Sequence, residues 1–278
     1  MARLPLLGDA GMGRYIIGPI PYAPDGLPVI GPMPGVKNAF EAHSFTFGIA
    51  QGGGAGKVMA EWIMHGETEM DMWSVDPRRY TDFTDPHHCL AKAMETYGHE
   101  YAMHFPHHEW PAGRDKKQST LQSRLQDVGA QFGAYNGWER ANWFAKAGDD
   151  RTEKSTQTWD RDGPWELRIR EEVEAVRDGC GMLPITGLSR IKIVGVGAKD
   201  FVDALTASRL PARGRVSLAY FPDSRGRILT ETSIMVYSNT EVSLITAATA
   251  QWHDAEIFLR QAPDGITVID NTLSLIHI

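Results

Sequence analysis

The stretch AHSFTFGIAQGGGAGKVMAEWIMHG, residues 42–66, constrains this chain most, because its glycines stand between an apolar segment and a helical pattern. The apolar segment reads as a short strand. Gly52, Gly53, Gly54 and Gly56 read as a turn, since glycine takes positive φ without strain and lets a backbone approach a ligand closely. Ala55, Val58, Met59, Trp62 and Ile63 follow the i, i+3, i+4, i+7, i+8 spacing of a helix with one buried face. Such a helix aims its unpaired N–H groups and positive dipole end into the turn, which favours a phosphate, a carboxylate or the electron-rich edge of a flavin. The run also reads as a plain tight turn with no ligand. Two phosphate motifs are excluded. Gln51 and Val58 stand where a Walker A loop needs Gly and Ser or Thr, and Lys57 stands where a dinucleotide fingerprint needs its third glycine.

The rest of the composition narrows the class. A chain of 278 residues with 42% hydrophobic content forms one large domain or two ordinary ones and reads as soluble and globular. Its net charge of −7 excludes the dense basic patch of a nucleic-acid or anionic-membrane partner, and no apolar run is long enough to insert into a bilayer. Cys89 and Cys180 lie far apart, outside any C-x-x-C pattern, which fits a reducing compartment and gives no structural zinc site. The first residues lack the charged and apolar regions of a secretory signal.

Along the chain, Tyr15 to Ile17 and Val29 to Ile30 read as strands, with a turn at residues 24–26. A helix is expected through residues 87–101. His99, His104, His107 and His108 crowd a Pro-flanked loop, but without the i, i+4 helical spacing of a zinc-binding pair, so no metal site is expected. Residues 129–145 bury Trp138 and Trp143 while Glu139 and Arg140 pair or face water. A polar loop comes next. Residues 165–181 then read as an amphipathic helix with Leu167, Val173 and Val176 inward, ended by Gly179 or Gly181. Ile191 and Ile193 alternate on a strand that leads to a helix from about Ala198. Residues 214–245 read as three antiparallel strands joined at PDSRG and at Ser238 to Thr240. Glu231 interrupts the middle strand. It either faces outward or meets a donor in a cavity, because an unpaired buried carboxylate is costly.

The order and spacing of PDGLPVIGP, NAF, FTFGIAQGGGAGKVMAEWI, GETEMD and DPRRY resemble the C-terminal end of the FAD-dependent amine oxidoreductases of the dimethylglycine and sarcosine dehydrogenase family. YGHEYAMHFPHHEWPAGRDKKQSTL resembles that family's small middle domain. GWER-x-NWF and GRILTETS resemble its folate-binding domain, a relative of the glycine cleavage T protein. The resemblance implies an α+β chain. Residues 1–75 are the C-terminal remnant of a DAO-type FAD oxidoreductase domain, 76–128 a middle connecting domain, 129–272 a truncated T protein-like folate-binding (aminomethyltransferase-like) domain, and 273–278 a non-native tail.

The resemblance further implies two cofactors, FAD and tetrahydrofolate. Ser44, Phe45, Thr46, Phe47, Gly48 and Ile49 would lie against the flavin ring, where preorganised donors stabilise charge on the reduced pyrimidine end. Glu231, Thr232 and Ser233 would line the pterin and amine site, with Glu231 the catalytic carboxylate that orients the ring nitrogens of the folate. The implied partners are a small N-methyl amine, dimethylglycine or sarcosine, and an electron acceptor. The implied location is the cytoplasm, or the mitochondrial matrix in a eukaryote. Two counterparts are not found: the family's ADP-binding G-x-G-x-x-G and its covalent flavin attachment residue. The chain is therefore expected to be a fragment, weak in FAD binding and inactive alone. The alternatives are a T protein-like folate-binding module without oxidase activity and an aminomethyltransferase without a flavin step.

Overall fold

A computed structural model describes residues 11 and 13–272, apart from 82, 153–155 and 186. The expected tail at 273–278 lies outside the described residues. Helices and strands mix in one chain, as the α+β class requires, and the strands form three separate antiparallel sheets.

The first sheet pairs β1 (Val29–Pro32) with β2 (Phe40–His43) and leads into α1 (Ile49–His65). Tyr15 to Ile17 form no strand; they are exposed, because no strand among the described residues offers them a ladder. Two charged networks anchor the segment after α1. Arg79 donates to Asp25 at 2.7 Å and to the Pro28 carbonyl at 3.1 Å. Arg78 grips the buried Asp76 at 2.6 and 2.8 Å and reaches Glu256 at 2.5 Å, far along the chain. The helix α2 (Pro86–His99) starts where expected, with Pro86 in its first turn and the Asp85 carboxylate accepting from the His88 amide at 2.8 Å. Lys116 at 2.5 Å is the main reason the Asp85 carboxyl is pulled down to about 2.

After α3 (Gln122–Asp127) comes a hairpin of β3 (Ala130–Tyr135) and β4 (Trp138–Phe144). Its turn is Asn136–Gly137, both at positive φ, the two-residue geometry that matches strand twist. Trp138 and Trp143 are buried. Glu139 is buried too, held by Arg114 through bonds of 2.5 and 2.9 Å and by the Asp115 amide at 2.9 Å. Burial works to raise the Glu139 pKa, but those three donors outweigh it and hold the carboxyl below its ordinary range.

Helix α4 (Pro164–Asp178) corrects an expectation. Leu167, Val173 and Val176 are exposed, while Trp165 is buried and packs with Ile169 against Trp143 and Ala145. The reason is contact at one end: α4 leans on β4, so the inward stripe is the one led by Trp165, the bulkiest side chain available, and Glu172 joins it by accepting from the Phe144 amide.

The third sheet has five strands in the order β6 (Val216–Pro222), β7 (Ile228–Ser238), β8 (Glu241–Thr246), β5 (Ser189–Val194), β9 (Thr267–Asp270). One face is covered by α5 (Ala198–Leu205) and α6 (Gln251–Leu259). The core between them is Ile191, Ile193, Ala219, Phe221, Ile234, Val236, Val242 and Leu244 against Ala198, Val202, Ala255 and Phe258. Gly195 at φ +135 is obligatory, because a Cβ there would sit 2.1 Å from the Gly265 carbonyl oxygen. Phe258 meets Phe221 edge-on at 5.0 Å and is fully buried. Phe258→Ala is expected to lower unfolding stability by about 3–5 kcal/mol, read as a shift of the urea midpoint at unchanged slope.

Candidate functional site

The glycine run is not a turn. Helix α1 begins at Ile49 and carries Gly52, Gly53, Gly54 and Gly56 inside it, none at positive φ. The turn lies earlier, over residues 44–48, with Ser44 at φ +59 and Gly48 at φ +43. Glycines cost about 1 kcal/mol each relative to Ala in a helix interior, but α1 packs on the first sheet and buries Ala55 and Trp62, the latter beneath the Arg78 and Arg260 guanidinium groups, which holds the helix through them. Ile63, expected on the buried face, is exposed.

The correction sharpens the anion-cradle reading. The N-terminus of α1 has no side-chain cap and no acidic residue in its first turn, so its dipole end is uncompensated. Phe47 is exposed and Ile49 fully so. A Cβ placed at Gly48, Gly52, Gly53, Gly54 or Gly56 would meet nothing within 4 Å, which leaves a flank of bare backbone open to a planar ring. Thr46 Oγ1 is buried with no hydrogen-bond partner among the described residues. The amides of Gly48, Ala50, Gln51 and Gly52 are taken by carbonyls of the turn itself, so the unpartnered Thr46 hydroxyl, a bare flank and an uncapped helix start are what fit the electron-rich end of an isoalloxazine.

The second half-site is the face of the five-stranded sheet that α5 and α6 leave open. Side chains alternate along β7: Thr230, Thr232, Ile234 and Val236 are buried, whereas Leu229, Glu231 and Tyr237 are exposed. Glu231 and Ser233 therefore share the open face. Thr232 does not join them, because a one-residue step reverses the side, and it sits 1% exposed in the core with its hydroxyl unpartnered. Directly opposite Glu231 on β6 is Tyr220, and opposite Ser233 is Leu218. The Glu231 charge, then its hydrogen bond, push the Tyr220 phenol above its ordinary pKa. A carboxylate, a phenol and a hydroxyl among Leu218 and Leu229 form an amphipathic surface suited to a flat heterocycle with ring N–H groups. Tyr220 went unnoticed in the sequence, although its strand carries a clear alternation. Finding it needs the register of β6 on β7.

The histidines do something else. His99, His104 and His108 pack around Trp110, with ring centroids 5.0 Å from it for the first two, and His99 Nδ1 lies 2.8 Å from the Glu95 carbonyl. Among the described residues no three His, Cys, Asp or Glu side chains are grouped to hold a metal ion.

Residues 121–278 match the family described as GCVT N-terminal domain, and residues 65–119 match FAD dependent oxidoreductase central domain. Mitochondrial dimethylglycine dehydrogenase of Rattus norvegicus is 31% identical over 254 residues, 91% of this chain and 29% of that protein. Mitochondrial sarcosine dehydrogenase of Homo sapiens is 36% identical over 149 residues, 52% of this chain and 16% of its own length. The 4-methylaminobutanoate oxidase (formaldehyde-forming) of Paenarthrobacter nicotinovorans is 32% identical over 199 residues, 71% and 24%. The chain spans less than a third of the length of these relatives.

Two measurements check the geometry. Gly53→Ala is expected to stabilise the chain by about 0.5–1 kcal/mol in urea unfolding, because the added methyl meets open space and favours the helix. Glu231→Gln removes the charge that disfavours phenolate, so the Tyr220 pKa should fall toward its ordinary value, seen as earlier phenolate absorbance in an alkaline titration.

Proposed function

Because this chain belongs to the dimethylglycine and sarcosine dehydrogenase family, with a GCVT N-terminal domain following an FAD dependent oxidoreductase central domain, we propose that it is part of a flavin- and folate-dependent N-methyl amine demethylase. The observation that carries the reading is the pairing of Glu231 and Ser233 on one open sheet face opposite Tyr220 and Leu218, in a chain whose α1 starts uncapped beside bare glycine backbone.

FAD, when bound, would supply two-electron oxidation of an N-methyl amine such as dimethylglycine or sarcosine, with a separate acceptor for the electrons. Ser44, Phe45, Thr46, Phe47, Gly48 and Ile49 would hold its pyrimidine end, through the unpartnered Thr46 hydroxyl and the positive dipole end of α1. On the open face, Glu231 would accept ring N–H groups of tetrahydrofolate and orient the ring. Ser233 would add a second polar contact, and Leu218 and Leu229 would exclude water from the ring. Thr232 acts from behind by filling the core under the strand. Tyr220, with its raised pKa, stays a neutral donor and leaves the negative charge to Glu231. The reading places the protein in the cytoplasm, or in the mitochondrial matrix of a eukaryote. Among the described residues no helix is long and apolar enough to cross a membrane.

A second reading, a folate-binding or aminomethyltransferase module without oxidase activity, is favoured by the match that runs from residue 121 to 278 without needing the flavin side. Calorimetric titration of the 278-residue chain with tetrahydrofolate tests both. Glu231→Gln should weaken binding by roughly tenfold, while Thr232→Val should leave affinity unchanged and raise stability by about 1 kcal/mol by removing an unsatisfied buried hydroxyl. Equal affinity in Glu231→Gln and the unaltered chain would sink the assignment of Glu231. A full-length protein that binds folate but purifies colourless and leaves dimethylglycine and sarcosine unoxidised would favour the module.

A further inference from the structure

The open face holds a residue that neither half-site uses. Arg190 on β5 lies between the core residues Ser189 and Ile191, so its side chain belongs to the face opposite α5 and α6. It is only 9% exposed, and its Nε and Nη1 meet no hydrogen-bond partner among the described residues. An unpaired buried guanidinium is costly, because it cannot shed its proton and loses its hydration. Burial pulls its pKa below the ordinary value, with Tyr237 opposing. Glu241, a carboxylate on that face but opposite Val194, is taken by Lys192 at 2.7 Å.

The register places this cation relative to the pterin side. Arg190 is opposite Ile245, Ile245 opposite Ser233, and Ser233 opposite Leu218, one row across four strands. Arg190 thus lies two strands from Ser233, about 10 Å, and Glu231 is one further step along the strand, about 12 Å away in all. Tetrahydrofolate has a pterin at one end and glutamate carboxylates at the other, separated by a rigid p-aminobenzoyl group, so a single molecule laid across the row reaches both. Resting on the folate reading, we propose that Arg190 is the binding residue for a glutamate carboxylate of the folate, across the sheet from a pterin held at Glu231 and Ser233. Ile245, between them in the row, then lies under the p-aminobenzoyl ring.

The test compares tetrahydrofolate with tetrahydropteroate, which lacks the glutamate, by calorimetric titration of the 278-residue chain and of Arg190→Met and Arg190→Lys. Met removes the charge at similar volume and is expected to fold, since replacing an uncompensated buried charge by an apolar side chain does not destabilise. Thermal melting checks this, and Lys keeps a cation if Met misfolds. The unaltered chain should prefer tetrahydrofolate. Arg190→Met should weaken tetrahydrofolate by roughly tenfold to a hundredfold and erase that preference, the loss of a charge-assisted contact, while tetrahydropteroate stays within about twofold. Arg190→Lys should retain part of the preference. Unchanged tetrahydrofolate affinity in Arg190→Met, or an equal loss for both ligands, overturns the assignment of Arg190 and leaves the folate reading standing. Failure of the unaltered chain to bind either ligand overturns the folate reading and this assignment with it.

Discussion

The two-residue period of β7 is the constraint on which the sheet and its candidate site depend. Its residues alternate between a face sealed by α5 and α6 and a face left open, and a slip of one residue would carry Ile234 and Val236 into water and Glu231 into the core. Such a slip would forfeit the burial of two aliphatic side chains and desolvate a carboxylate, several kcal/mol in all. The hydrophobic core therefore fixes where Glu231 points. Stability and site placement are set by the same register, and Thr232 belongs to the first while Glu231 belongs to the second.

Charged side chains join the rest of the molecule to that sheet. Asp76 and Glu139 are buried carboxylates, and each is matched by an arginine in bidentate contact, Arg78 and Arg114. Arg78 also reaches Glu256 on α6 and stands over Trp62 and Trp73, so one guanidinium touches α1, the segment after it and the helix that covers the core. At the other side, Trp138 of the hairpin donates to Gln251 at 3.1 Å, which donates in turn to Asp270 of β9 at 2.6 Å. Removing one member of a buried pair leaves the other charge uncompensated, so these contacts fix relative position more than they add net stability. Arg190 stands apart from this pattern as a buried arginine whose Nε and Nη1 have no partner among the described residues.

Much of the fold was legible because it rests on local periodicity. The three strands from Val216 to Thr246, the alternation of Ile191 and Ile193, and α2 obey patterns read within a single segment. The hairpin turn at Asn136–Gly137 had an equally local signal that the density of aromatics around it obscured. The errors share a cause. Tyr15 to Ile17 had strand-like residues but no partner strand among the described residues, α4 had three aliphatics on a stripe that none of the described elements covers, and the glycines of α1 had turn chemistry overridden by burial of Ala55 and Trp62. Each depended on what lay across a gap in space, which a window of sequence does not contain.

The sequence alone determined which segments could pair and which family they resemble, since strand alternation, capping by Asp85 and the ordered motifs are all encoded in neighbouring residues. Only the tertiary structure decided that Glu231 faces away from the core beside Tyr220, that Thr232 does not, and that Arg190 shares their sheet face at a distance of two strands from Ser233. The physical reason is that a strand's own pattern sets which residues share a side, whereas the neighbours across the ladder and the face that the helices cover are set by long-range pairing and packing.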